Sequence, residues 1–351
     1  MQISINGIKY DARAEQTVLD VARANGIYIP SLCYHARTGP AAKCRACVAE
    51  IEGMRGLQTT CTVKVTDDMT VVTDSPRVKE AQRLVVDLML SSGRHDCLSC
   101  AMCGECELQQ AAYHLGIERP SFAVADDFEK DDTGEFITVD RAKCIKCGRC
   151  VAGDNCTVVN EALGFSHRGD HTKIVFDSDL PMGSSSCVQC GECVQLCPTG
   201  ALVDKRAKGL GRAWDLEKVE SVCPYCGVGC RTRLHVDRKA NRVVRITGVE
   251  DAPTNEGMLC VKGRYAFDFV HHPDRLTAPL VRNSKGEFRP ASWEEANALI
   301  ATRFMEIKKK HGADSIAGLS CARATNEENY LFQKFMRTRI VTNNIDHCAR
   351  L

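Results

Sequence analysis

Cysteine is the residue that stands out in this chain, at 22 of 351 positions. Twenty of the 22 fall into five sets of four before residue 261; only Cys321 and Cys348 are left over. Thiolates are soft ligands that select iron–sulphur clusters and zinc. Disulfide frameworks belong to short secreted chains, and this one is long. Its start, Met1-Gln2-Ile3-Ser4-Ile5-Asn6, has neither the basic nor the apolar region of a secretory signal. Spacing then separates iron–sulphur chemistry from zinc.

The first set, Cys33, Cys44, Cys47 and Cys61, reads C-x10-C-x2-C-x13-C. It follows the logic of the plant-type [2Fe–2S] spacing with a longer first loop, too irregular for a zinc knuckle. The second set offers five donors to one cubane: His95, Cys97, Cys100, Cys103 and Cys106. The third and fourth sets are two bacterial ferredoxin runs, Cys144/Cys147/Cys150 and Cys187/Cys190/Cys193/Cys197-Pro198. In that motif the fourth Cys ligates the other cluster, so Cys197 joins Cys144, Cys147 and Cys150. Cys187, Cys190 and Cys193 then need a ligand from the end of the first run. Asp154 stands at the expected position and Cys156 two residues on. Thiolate is the softer match to iron, which favours Cys156. The fifth set is Cys223, Cys226, Cys230 and Cys260, with Gly227 and Gly229 letting the backbone close around a cluster; zinc is its main rival. Five sites in series imply an electron wire: one [2Fe–2S] and four [4Fe–4S] clusters in a reducing, cytoplasmic compartment.

The elements must position these loops. Gln2 to Ile5 alternates like a strand and Asn6-Gly7 is a hairpin turn. Thr17 with Asp20 opens a short helix that Gly26 closes. An amphipathic helix is expected before the second set, with Ala81, Leu84, Val85, Leu88 and Met89 on its buried face. Residues 125–135 read as a solvated acidic linker, residues 204–214 as a hinge, and His271-His272 as a boundary loop without metal. Ser292 with Glu295 caps a helix running to Gly312, Ile316 to Ser320 is a buried strand, and Thr325 with Glu328 opens another helix. Cys321, at that strand's end, reads as a small buried hydrophobe. The βα pattern after residue 273 is an α/β domain that has only begun, too short to close its own core.

Lys and Arg number 46 and Asp and Glu 45, a net charge of +1. That balance argues against nucleic acid or an anionic membrane as partner. The longest apolar stretch, Leu84 to Leu90, is broken by Asp87, so no membrane span is expected. Hydrophobic content of 44% with 26% charged residues excludes wholesale disorder.

The order of modules resembles the N-terminal half of the catalytic subunit of cytoplasmic, NAD-linked molybdenum or tungsten formate dehydrogenases. The first three modules are also similar to those of [FeFe]-hydrogenases and of the large iron–sulphur subunit of respiratory complex I. Three segments favour the first family: Leu259-Cys260-Val261-Lys262-Gly263-Arg264-Tyr265, Cys321 to Tyr330, and Asn343 to Leu351. The resemblance implies an α+β multi-module fold: a β-grasp [2Fe–2S] ferredoxin (1–78), a His/Cys-rich [4Fe–4S] module (79–120), a two-cluster ferredoxin (136–204), a further [4Fe–4S] module (216–272) and the truncated start of a molybdopterin domain (273–351). It implies that Lys262 relays electrons between cluster and pterin, that the complete protein holds a Mo- or W-bis(molybdopterin guanine dinucleotide), and that Cys348 is a core thiol near it. The family's second module reads H-x3-C-x2-C-x5-C. Here Gly93 takes the histidine's place, His95 comes two residues late and Cys103 is extra, so the fourth ligand is Cys103 or His95.

In the family, C-A-R-[LV] is followed at once by the metal-binding Cys or selenocysteine; here the sequence ends at Leu351. The expectation is a stop read at a selenocysteine codon for position 352. On that view the whole enzyme converts formate to CO2 and two electrons. They pass along the clusters to a flavin- and NAD(P)-binding iron–sulphur subunit or to hydrogenase subunits, and this part alone is inactive on formate. The alternative is a complete electron-transfer subunit of a complex I-like or hydrogenase-type complex.

Overall fold

Ile3 and Ile5 point inward from β1 (Gln2–Ile5), each 1% exposed, as alternation along a strand demands. The chain turns at Asn6 and Gly7, whose φ values of 53° and 83° build a left-handed turn into β2 (Ile8–Asp11). Thr17 and Asp20 make the expected capping box on α1 (Val18–Ala24). With β3 (Val48–Ile51), β4 (Gln58–Thr59) and β5 (Met69–Val72), a five-stranded sheet forms in the order β2-β1-β5-β3-β4. β1 and β5 run parallel and the other pairs antiparallel. Ile3, Ile5, Val18, Leu19 and Val71 fill the core beneath it, each contributing about 1.5–3 kcal/mol on burial. This computed structural model describes residues 1–124 and 129–348. They divide into two units: residues 1–221 with 230–265, and residues 222–229 with the chain from Ala266 on.

In the first unit, α2 (Pro76–Ser91) is present but turned from the expected face. Val78, Gln82, Val86, Asp87 and Ser91 are buried, whereas Leu84 and Leu88 are 51% and 48% exposed. The reason is polar. Gln82 Nε2 donates to Val48 O at 3.0 Å and Asp87 Oδ1 accepts from Ser121 N at 2.9 Å. Satisfying those buried backbone groups sets the helix's rotation, which apolar periodicity alone does not see. α3 (Glu107–His114) follows the second cysteine loop.

Two antiparallel strands come next, β6 (Lys130–Asp131) and β7 (Ile137–Asp140). Residues 125–128 of the expected linker lie outside the described residues; from Lys130 on it is ordered structure. The Asp131 carboxylate is buried and accepts from Met182 N at 2.8 Å and Thr133 N at 2.9 Å. The ferredoxin-type part continues with α4 (Arg149–Ala152), the antiparallel pair β8 (Leu163–Ser166) and β9 (Lys173–Phe176), α5 (Glu192–Leu196) and β10 (Leu202–Asp204), which pairs with β7. The expected hinge at 204–214 is tied down. Arg206 Nη1 donates to Tyr265 O at 3.0 Å, and Arg212 donates to Cys100 O at 2.9 Å and Leu98 O at 2.6 Å. A sheet of β11 (Glu217–Val222), β12 (Arg231–Asp237) and β13 (Arg242–Gly248), then α6 (Val261–Tyr265), ends this unit.

The second unit holds a hairpin of β14 (Leu280–Arg282) and β15 (Phe288–Pro290), then α7 (Trp293–His311), capped by Ser292 and ended at Gly312 (φ 86°). β16 (Gly318–Ser320) begins two residues later than expected. α8 (Asn326–Phe335) starts at the Thr325/Glu328 capping box, and β17 (Ile345–His347) returns parallel to β16. The core of this unit is small: Ile316, Met336 and Ile340. No helix among the described residues is long and apolar enough to cross a membrane.

Candidate metal centres

All four thiols of the first set are buried, between 0% and 8% exposed. β3 begins directly after Cys47 and β4 ends two residues before Cys61, so the Val48–Thr59 pairing brings those two cysteines side by side. Thr60 pins the turn, its N and Oγ1 both donating to Cys47 O. On the other side Cys44 N donates to Cys33 Sγ at 3.4 Å. The Cys44 thiol stabilises the Cys33 thiolate and lowers its pKa, and its own rises; Cys61 does the same for Cys47. Two such thiol/thiolate pairs in a dry pocket fit the donor demand of a [2Fe–2S] cluster.

The second set lies on consecutive turns between α2 and α3. Cys100 N bonds Cys97 O and Cys103 N bonds Cys100 O, each at 3.2 Å. Cys106 caps α3 through Gln109 N, and Gln109 Nε2 reaches Cys103 Sγ at 3.5 Å. His95 and all four thiols line one cavity of about 20 Å³. His95 Nε2 faces Met89 O at 3.3 Å, and burial lowers the ring's pKa, so the neutral imidazole is favoured. Burial pushes Cys106 up to about 12. Gly200 closes the cavity, for a Cβ there would lie 2.4 Å from Cys100 Sγ.

The two ferredoxin runs share one backbone device. Lys146 (φ 56°) donates its N–H to Cys144 Sγ and Gln189 (φ 49°) donates to Cys187 Sγ, each at 3.4 Å. Gly148 (φ 83°) then opens α4 and Gly191 (φ 78°) opens α5. A Cβ on Gly191 would sit 2.3 Å from Tyr265 Oη and 2.4 Å from Arg264 Cδ, so the position needs glycine twice over. Cys144, Cys147, Cys150 and Cys197 together line a cavity of about 500 Å³. Burial raises Cys144 to about 11 and Cys147 to about 12, and Cys150 further.

The Cys187 set has three thiols in mutual range, with Cys193 buried. Cys156, the favoured fourth donor, is exposed on a π-helical stretch, Gly153–Val158, that extends α4. Asp154 is the buried group there, 6% exposed, its Oδ2 accepting from Leu163 N at 2.9 Å. Its carboxylate helps raise the pKa of Cys187 and Cys190, after burial. The π stretch leaves Cys156 exposed and Asp154 buried.

The fifth set is divided. Cys223 and Cys226 fall in the second unit, Cys230 and Cys260 in the first. Within the first unit, Asn255 joins the segments beside Cys230 and Cys260: its Oδ1 accepts from Arg231 N and its Nδ2 donates to Met258 O, both at 2.8 Å. Within the second, the Tyr225 hydroxyl donates to Ala266 O. Lys262 is exposed on α6. Among the described residues, no three His, Cys, Asp or Glu side chains are set to hold a single metal ion.

Sequence reasoning passed over the charged residues between the thiols. Arg149 (2% exposed) lies between Cys147 and Cys150 and donates to Ser31 O at 2.9 Å and Glu107 Oε2 at 2.7 Å. Glu192, between Cys190 and Cys193, is equally buried, paired with Arg37 and 3.7 Å from Arg264; burial raises its pKa. Arg264 also donates to Cys190 O at 2.8 Å. The available signal was a charged residue inside two of the Cys-x2-Cys loops, Arg149 between Cys147 and Cys150 and Glu192 between Cys190 and Cys193. Outside the sets, Cys321 is half-buried rather than buried and Cys348 is exposed in this chain; residues 349–351 lie outside the described ones.

Five family models match in series: a 2Fe-2S iron-sulfur cluster binding domain (1–76), the NADH-ubiquinone oxidoreductase-G iron-sulfur binding region (82–121), a 4Fe-4S dicluster domain (143–201), a molybdopterin oxidoreductase Fe4S4 domain (216–272) and molybdopterin oxidoreductase (275–351). The NADPH-Fe(3+) oxidoreductase subunit alpha of Geobacter sulfurreducens is 38% identical over all of this chain and 40% of its own length. A Staphylococcus aureus protein named "Putative formate dehydrogenase" is 32% identical over 99% of this chain and 39% of its own. The chain thus spans about two-fifths of these curated relatives. A chain of an NAD+-reducing [NiFe]-hydrogenase crystal structure superposes with a TM-score of 0.56 and 28% identity, over 60% of this chain and 89% of that one.

Proposed function

We propose that this chain, which carries ferredoxin-type iron–sulphur modules and the start of a molybdopterin oxidoreductase domain, is the electron-carrying portion of a formate dehydrogenase catalytic subunit. The observation that carries the electron-transfer reading is the row of thiol sets in the first unit, held by shared buried arginines. Bound clusters supply one-electron carriers, and a bound molybdopterin supplies two-electron exchange with substrate.

The chain's own residues do the rest. Cys33, Cys44, Cys47 and Cys61 would hold the [2Fe–2S] cluster. Cys97, Cys100 and Cys106, with Cys103 or His95, would hold the first [4Fe–4S] cluster. Cys144, Cys147, Cys150 and Cys197 would hold the next. Cys187, Cys190 and Cys193 would hold another, with Asp154 in place of Cys156, and Cys223, Cys226, Cys230 and Cys260 the last. N–H groups of Cys44, Lys146 and Gln189 bond to sulphur and stabilise added negative charge. Lys262, exposed two residues from Cys260, would stand between the last cluster and the pterin. The formate assignment draws on the name of the Staphylococcus relative and on the Lys262 and Asn343 to Leu351 segments. Electrons would leave to a flavin- and NAD(P)-binding partner subunit.

A second reading, an electron-transfer subunit of a hydrogenase- or complex I-like assembly, is favoured by the superposition on the hydrogenase chain. The deciding experiment is anaerobic assay of the full-length protein for formate-dependent viologen reduction, with iron and sulphide counted per chain. Formate activity that Lys262→Ala lowers without changing iron content supports the first reading. Full cluster loading with no formate activity and a bound hydrogenase subunit supports the second.

A further inference from the structure

The two cysteines outside the five sets face each other. Cys321 follows β16 and Cys348 follows β17, each one residue beyond the last parallel pair, Ser320 with His347. Continuing that register sets them on neighbouring strands about 4.8 Å apart. This falls within the roughly 4.4–6.8 Å Cα window a disulfide needs. Their sulphurs are already 3.7 Å apart. The loop entering α8 donates a backbone N–H to each: Arg323 N to Cys321 Sγ at 3.4 Å, and Ala322 N to Cys348 Sγ. Ala322 N–H, then the Cys321 thiol, and more weakly the Arg323 charge hold Cys348 below the usual thiol range. A thiolate beside a second thiol is the arrangement of a reactive dithiol.

We propose that Cys321 and Cys348 form an oxidisable dithiol that closes to a disulfide between β16 and β17. The oxidant class is a low-molecular-weight disulfide, RSSR. The Cys348 thiolate attacks one sulphur and expels one RS⁻, leaving a mixed disulfide. Cys321 loses its proton, attacks the Cys348 sulphur and expels the second RS⁻. The protein loses two electrons and two protons, and RSSR becomes two thiols. The cross-link ties together a parallel pair whose buried core, among the described residues, is Ile316, Met336 and Ile340, with Phe332 and Ile345 packed against it. The proposal is independent of which clusters the chain holds.

The test uses the full chain, cluster-loaded and anaerobic, equilibrated with oxidised and reduced glutathione at graded ratios. Free thiols are then alkylated and the protein digested without reductant. The expected result is a cross-linked peptide pair joining Cys321 to Cys348, two hydrogens lighter than the separate peptides, that reverts with dithiothreitol. Cys348 alkylation should slow by at least about tenfold at the oxidising end. Cys321→Ser and Cys348→Ser should each abolish the cross-link with iron content unchanged, and either one suffices if the other misfolds. The proposal falls if both thiols alkylate at the oxidising end as fast as in the single variants. It also falls if either thiol pairs instead with a cysteine of the five sets.

Discussion

Arg149 and Glu107 form a two-pronged ion pair, 2.5 and 2.7 Å, with the guanidinium 1% exposed and the carboxylate 41%. The same guanidinium reaches Ser31 O at 2.9 Å. Arg149 adjoins Cys150, Glu107 adjoins Cys106, and Ser31 lies two residues before Cys33. One side chain therefore fixes three cysteine loops from three separate modules. An arginine suits the place because its planar fork offers five donors and stays charged.

Replacing Arg149 with Met should destabilise the first unit by about 3 kcal/mol. Glu107 can turn to water, but Ser31 O loses a buried donor. Chemical denaturation of the loaded chain under anaerobic conditions measures this. Arg149→Lys should fall between, keeping the charge and losing the fork. Equal stability of all three proteins would deny Arg149 this role.

Cys156→Ser should leave iron content and the reduced-state electron paramagnetic resonance spectrum unchanged, since Cys156 is exposed. Asp154→Ala should lose one iron or one whole cluster. Asp154→Cys should restore a full complement with an altered signal, thiolate being the softer ligand. Loss of iron in Cys156→Ser alone would return the ligand role to Cys156.

Gly191→Ala should cost at least about 2 kcal/mol. It puts a Cβ at φ 78° and against Tyr265 Oη and Arg264 Cδ. Gly164→Ala, where nothing lies within 4 Å of a Cβ, is the control and should unfold like the wild type. Thermal unfolding with parallel iron counts reads both.

Burial, then the Arg245 guanidinium, holds His235 down to about 3. The ring is neutral in the folded chain, with Arg245 Nη2 donating to Nδ1 at 3.4 Å and Thr247 at Nε2, 3.0 Å away. The unfolded chain takes up a proton below pH ~6.5. This contribution to stability is therefore whole above about pH 6.5 and is lost as pH falls toward 3. By pH 5 it should have cost about 2 kcal/mol relative to pH 8. Unfolding of wild type and His235→Gln across that range checks the sign: the variant's profile should be flatter between pH 5 and 6.5.

Local pattern alone carried the candidate cysteine sets and the elements beside them. Cys-x2-Cys-x2-Cys spacing, the Asn6-Gly7 turn and the capping boxes at Thr17 and Thr325 are local devices, complete within a few residues. The turn and both capping boxes form as read, because nothing distant is needed to form them. Which groups share a buried space was set by contacts between distant segments. The rotation of α2 followed from Val48 O and Ser121 N, and the tethering of residues 204–214 from the carbonyls of Leu98, Cys100 and Tyr265. Asp154 rather than Cys156 faces inward because of a π turn that no composition or period announces. Cys321 meets Cys348 through strand register across α8. Each of these depends on partners far apart in the chain, whose positions are set by burial and by the need to satisfy backbone groups, and such partners leave no local pattern to read.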